Sequence, residues 1–324
     1  MASSRLTRRW EELRSTVKLQ RMLLPIAPFA LGIVFGIINP SFLTPYNLAN
    51  VTRQSAVLAI GATGQTILII SGGTDLSQGS MIGLVSVVSA MAMISYGLVP
   101  GILIALAMAA MVGAVHGLVV AKWRVPHFVV TLGSLNVMRG LTYLITGGLP
   151  VAGVSRIPAF MWIGQGEILG FPVPALIAGM VLLAGYLFLT KTQAGRYIFA
   201  IGGNEEAAHL AGVNTGLYKT IAFMCSAVLA GVAGLVLTAR VGTGQPTLGE
   251  SFLLDSIAAS VIGGTSMKGG EGSMVGTLLG VALIAVIGNG LNLIGVSSFV
   301  QMIVTGCIIV VAVVTDLMGK TGGD

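Results

Sequence analysis

Apolar stretches long enough to approach or cross a hydrocarbon core recur along the whole of this 324-residue chain. Such a core is about 30 Å thick. Charged residues are 9% of the sequence, against roughly 25% in an ordinary soluble domain. Length alone would allow two soluble domains, but there are too few charges to cover their surfaces. The expected fold is therefore all-α: one polytopic bundle of transmembrane helices. The 46 glycines suit helices packed closely in lipid.

Spans are expected near 22–38, 54–71, 78–95, 101–121, 127–145, 173–190, 218–238, 252–266, 273–290 and 297–315. About ten spans put both termini on one side. The organisation that follows is a tail at 1–21, a transmembrane domain at 22–319 with a polar loop at 191–217, and a short tail at 320–324. With the N-terminus inside, the cytoplasmic side holds 13 of the 17 basic residues. These are Arg5, Arg8, Arg9, Arg14, Lys18, Arg21, Lys122, Arg124, Lys191, Arg196, Lys219, Lys268 and Lys320. Arg53, Arg156 and Arg240 fall outside, and Arg139 lies within a span. Positive residues favour the cytoplasm, so the bias orients the chain.

The basic N-terminal segment also carries Glu11 and Glu12. It reads as an amphipathic tail on the membrane surface, and nucleic acid is excluded as a partner. No small-residue cleavage site follows the first apolar run, which ends in Asn39-Pro40, so that run is expected to stay as a span. Cys225 and Cys307 lie in apolar runs and offer neither a disulfide framework nor a metal site.

Punctuation supports this map. Thr44-Pro45 reads as a cap and first turn, with 45–52 a short helix leading into the second span. Asp75 and Gln78 have capping-box spacing for the third. The stretch 147–174, with Pro150, Pro158, Pro172 and Pro174, is the longest external segment and is expected along the membrane face. Gly72-Gly73-Thr74 followed by Gly79-Ser80-Met81 echoes Gly263-Gly264-Thr265 followed by Gly272-Ser273-Met274. Duplicated halves and chance similarity in Gly-rich sequence account for this equally well.

The centre of the polar loop, Gly202 to Gly212, reads as a short capped helix. Asn204 suits the N-cap. Glu205 and Glu206 complement the helix dipole. Ala207, Ala208 and Ala211 favour helix and leave a smooth surface, and Gly212 closes it. A helix of some 10–12 Å is marginal alone and makes sense if it docks into something.

Glu206-Ala207-Ala208 followed by Gly212 resembles the EAA-x-x-x-G signature of importer permeases. The resemblance extends over nearly the whole chain. Gly72-Gly73-Thr74-Asp75-Leu76-Ser77-Gln78-Gly79-Ser80 is similar to the GG-x-DLS-x-GS segment of ribose-type ABC permeases, with Gln78 in place of the usual Val. Further blocks are Thr131-Leu132-Gly133 with Arg139-Gly140-Leu141, Asp255 to Ala259 with Gly263-Gly264-Thr265, and Asn289 to Val296 with Gln301. The resemblance implies a bacterial inner-membrane subunit that works as a permease dimer. A cytoplasmic ABC ATPase, often a fused tandem, would drive it, and a periplasmic binding protein would deliver a monosaccharide or related polyol. The loop residues Asn204, Glu205, Glu206, Ala207, Ala208 and Gly212 would then engage the ATPase. This chain has no phosphate-binding loop of its own and is expected to bind no cofactor: Gly212 to Thr220 has the wrong spacing, and ATP is used by the partner.

Five polar residues are candidates for a translocation pathway. Arg139 inside a span is costly and either faces a cavity or snorkels. Asn136 sits three residues earlier on a neighbouring face. Asp75 is read first as a cap and second as a solute contact. Asn289 and Asn292 either face one cavity or cap a helix end. Asp255 could pair with Arg240. Gly272, Gly276 and Gly280 form a ridge for helix packing. An ion-coupled secondary transporter is the alternative function, but it would need buried carboxylates, and only Asp75 and Asp255 are available. An intramembrane enzyme lacks a metal motif or nucleophile turn.

Overall fold

The computed structural model describes residues 24–320. The expected tail at 1–21 and residues 321–324 lie outside the described residues. The helices are α1 (Ala27–Ile38), α2 (Pro45–Ile70), α3 (Gln78–Tyr96), α4 (Leu98–Trp123), α5 (His127–Thr146), α6 (Pro158–Gln165), α7 (Val173–Lys191), α8 (Gln193–Gly203), α9 (Glu205–Leu210), α10 (Thr215–Val241), α11 (Phe252–Ile262), α12 (Met274–Leu293) and α13 (Ser298–Lys320). Short 3-10 turns at Pro40–Leu43 and Val154–Arg156, and a two-residue antiparallel hairpin of β1 (Glu167–Ile168) and β2 (Phe171–Pro172), complete the described elements.

The chain is an all-α polytopic membrane bundle. Six helices, α3, α4, α5, α7, α10 and α12, are long and apolar enough to cross a membrane. Each of the other expected spans coincides with a helix as well. The stretch 45–52 is not a separate helix: Thr44 caps Asn47 N–H at 3.4 Å and α2 runs unbroken from Pro45 to Ile70. Two of the helices at expected spans are short. The 12 residues of α1 and 11 of α11 give about 18 and 16 Å of rise.

Helix α2 is the axis of the bundle, buried at every residue from Ala56 to Ile70. Its polar residues there, Thr63, Gln65 and Thr66, are buried too. Small residues let the neighbours close on it and on one another, as expected where van der Waals contact drives helix association. A methyl at Gly64 would lie 2.9 Å from Ser226 Cα on α10, and one at Gly117 on α4 would lie 2.4 Å from Thr220 Cα. The expected glycine ridge packs α12 on α11. Methyls at Gly276 and Gly280 would stand 1.9 and 2.0 Å from the carbonyl oxygens of Gly263 and Ala259.

The basic residues sort between the two ends of the bundle. Arg53 bonds Glu167 of the hairpin, and Gln165 donates to the Arg240 carbonyl at 2.9 Å. Arg156 belongs to the same end-piece. The stretch 147–174 folds over this end, with Val154 and Phe160 fully buried in the core. At the opposite end, Gly270 N–H donates to the Ile70 carbonyl at 2.9 Å, and Thr74 N–H donates to His127 Nδ1 at 3.2 Å. The helix ends bearing Lys122, Lys191 and Lys219, the short helix α8 with Arg196, and the turns with Arg124 and Lys268 gather here. Both copies of the internal echo meet at this end.

Candidate functional site

Helix α9 stands at the basic end. Asn204 Oδ1 accepts from Ala207 N–H at 2.9 Å, which satisfies one free donor of the first turn. At the other end Gly212 takes φ +84°. Gly212 N–H reaches His209 O at 2.9 Å and Val213 N–H reaches Ala208 O at 3.0 Å. This pair of bonds is the Schellman closure, in which glycine removes the left-handed penalty. Lys219 holds Glu205 at 2.5 Å and fixes α9 against α10. Ala208 is buried with Ile201 and Val213. Asn204, Glu205, Glu206, Ala207, His209, Ala211 and Gly212 are exposed, and Leu210 is 82% exposed. The helix thus has one anchored face and a free face from which an apolar residue projects.

A second constellation lies deep in the bundle. Asp75 is buried and accepts from Ser77 N–H at 2.8 Å, Ser77 Oγ at 2.5 Å and Ser226 Oγ at 3.1 Å. The expected capping box does not form. Gln78 reaches across the bundle instead, donating to Ser226 Oγ at 2.9 Å and Gly61 O at 3.3 Å and accepting from Ser256 Oγ at 2.8 Å. Thr66 joins Ser260 and Thr277 at 2.9 and 2.7 Å. Hydroxyl and amide bonds of this kind tie helices together where no water competes.

The remaining pathway candidates separate. Asn289 is bonded reciprocally to Asn47 at 2.8 and 3.0 Å, while Asn292 is exposed near the end of α12. The two do not share a partner. Among the described residues no ion pair joins Asp255 to Arg240. Arg139 and Asn136 lie together on the open side of α5, and Arg139 Nη2 is 3.8 Å from Glu250 Oε1.

Sequence reasoning did not single out Glu250. It belongs to residues 242–251, which read as an outer loop but turn into the bundle. Val151 and Gly244 exchange backbone hydrogen bonds of 2.7 and 2.9 Å at the end that carries the hairpin. From there the segment descends along α3. Gln245 N–H donates to Ser86 Oγ at 3.0 Å, and methyls at Gly83 and Gly79 would lie 2.8 and 2.5 Å from the Pro246 and Gly249 carbonyl oxygens. The signal available was a glycine- and proline-interrupted stretch beside an unusually short apolar run, a pattern of broken transporter helices.

An α-helical membrane bundle with a capped, exposed short helix at its basic end and an irregular segment turned into its interior has the build of a transport subunit. The family model described as "branched-chain amino acid transport system / permease component" matches residues 47–313. The chain is 42% identical to the ribose import permease protein RbsC of Escherichia coli K12 over 294 residues, 90% of this chain and 92% of that one. It is 42% identical to RbsC of Bacillus subtilis 168 over 290 residues, 89% and 90% of the two chains. It is 33% identical to the xylose transport system permease protein XylH of E. coli K12 over 341 residues, 86% and 87% of the two chains. No solved structure matches it. The chain belongs to this permease family and stands in it with the ribose-type permeases that its motifs resemble. It is a transport component and not an enzyme.

Proposed function

We propose that this chain is the membrane subunit through which an ATP-binding-cassette importer moves a monosaccharide or related polyol, received from a periplasmic binding protein. The observation that carries this reading is α9: capped at both ends, anchored by Ala208 and Lys219, and otherwise uncovered. A helix this short is not stable alone, and its free face fits a groove on a cytoplasmic ATPase, a tandem one by the family resemblance. The partners are completed by a second permease copy, identical or related. The chain crosses the bacterial inner membrane ten times with both termini in the cytoplasm. The gathering of its basic residues at one end supports that orientation.

The solute class follows the named relatives, which import ribose and transport xylose, two neutral polyhydroxylated pentoses. The test is uptake into proteoliposomes holding this chain with its ATPase and binding-protein partners. Ribose or xylose should enter only with ATP, and leucine should not compete. Uptake driven by a sodium or proton gradient without the ATPase would support a secondary transporter instead.

A further inference from the structure

The span that contains α11 is not helical over its outer part. Residues 243–251 run from Val151 at the outer end down to Gly79 in the first turn of α3. Gln78 beside it is bonded to Gly61, which is about 24 Å along α2 from Pro45 and about 13 Å from Ile70. The segment therefore reaches the middle of the bundle. Irregular backbone persists at that depth only where it is buried in protein or lines water. Its two edges differ. Gly244, Pro246 and Gly249 are buried against α3, while Thr247, Glu250 and Ser251 are exposed.

The open edge carries a charge, and a charge on α5 meets it. The side chains of Arg139 and Glu250 are 37% and 52% exposed, and their nearest atoms are 3.8 Å apart. Ionised groups at membrane depth face a water-filled cavity or the bundle interior, not lipid. We propose that Thr247, Glu250 and Ser251, with the Arg139 and Asn136 face of α5, form one wall of the aqueous passage. In this wall the Arg139–Glu250 pair is the contact for the hydroxyls of a neutral solute. The proposal rests on the permease reading above and adds a place and a chemistry to it. The separation exceeds that of a closed charge-assisted hydrogen bond, about 2.7–2.9 Å, so donors on the guanidinium and acceptors on the carboxylate stay free. A sugar hydroxyl donates and accepts at once and can bridge them. The pair has no net charge and so does not select an ion over a neutral solute. Its bonds to a neutral solute are also weak enough to release it, as passage requires.

The test uses the full importer in membranes, with Cys225 and Cys307 replaced by alanine. Thr247→Cys and Glu250→Cys should react with a charged, membrane-impermeant methanethiosulfonate, and ribose should slow the reaction. Arg139→Met and Glu250→Gln should each cut pentose uptake by about tenfold or more, with the complex and its ATP hydrolysis intact. The exchange Arg139→Glu with Glu250→Arg should regain part of the uptake. Unreactive cysteines, or full uptake by both single variants, would overturn the wall. So would an exchange that regains assembly but no uptake, since the pair would then be only a tie. Reactive cysteines in a complex that carries neither ribose nor xylose would keep the wall and remove the sugar reading.

Discussion

Gly202 and Ile70 meet backbone to backbone: a methyl on Gly202 would lie 1.8 Å from the Ile70 carbonyl oxygen. That oxygen already accepts from Gly270 N–H at 2.9 Å. The end of α2, the end of α8 just before α9, and the loop leading into α12 are thus joined without a side chain between them. A rigid displacement of α9 reaches both α2 and the loop after α11 at this point.

Gly202→Ala should split the joint, whereas Gly203→Ala meets nothing within 4 Å and should behave as wild type. Overpacking of this kind costs about 1–3 kcal/mol. The Gly202 variant should melt at a lower temperature as a purified complex and lose uptake. Identical melting and uptake for the two variants would show that the joint accepts a side chain.

Gly212→Val places a β-branched residue at φ +84°, where non-glycine residues cost about 1–3 kcal/mol. Membrane insertion should be normal, while ATPase association weakens and uptake is lost. Glu206→Lys should do the same by opposing the helix dipole. ATPase pull-down and uptake both unchanged in both variants would remove α9 from coupling.

Reporter fusions after Lys122, Gly203 and Lys320 should report cytoplasm, and those near Gly153 and Gly244 periplasm. A periplasmic signal at Gly203 would overturn the orientation and the ATPase contact together.

Gln78→Leu removes three bonds at once, leaving the Gly61 carbonyl without its side-chain donor and Ser226 and Ser256 without one partner each. Ser226 keeps Asp75 and Ser256 keeps the Leu253 carbonyl, so the loss is that of the bonds themselves, about 0.5–1.5 kcal/mol each, and melting should fall by a few degrees. An unchanged melting temperature would show that the network adds no stability.

Much of this was legible in the sequence. Long apolar runs located the helices, because lipid allows few alternatives to helix. Asn204 and Gly212 announced both ends of α9, since capping is a local chemistry. Arg139 stood out because a charge in a span is costly. What stayed hidden depends on residues far apart in the chain. The descent of residues 243–251 needs Gly79 and Gly83 to clear room for its carbonyls, and neither glycine is near it in sequence. Glu250 looked like an ordinary loop residue for the same reason. Gln78 had capping spacing, but Ser226 and Ser256 offered it better partners from other helices.

Helix α2 is made early, yet the hydroxyls that complete its polar face come from the other half of the chain. Ser260 and Thr277 lie 194 and 211 residues beyond Thr66. At about 5–20 residues per second of synthesis, Thr66 waits roughly 10–40 s for them. During biogenesis the polar face of the central helix is therefore completed only after the second half of the chain is made. A chain cut short after α10 would leave the Thr66 hydroxyl of that axis without Ser260 and Thr277, a buried polar group exposed to lipid or to rearrangement.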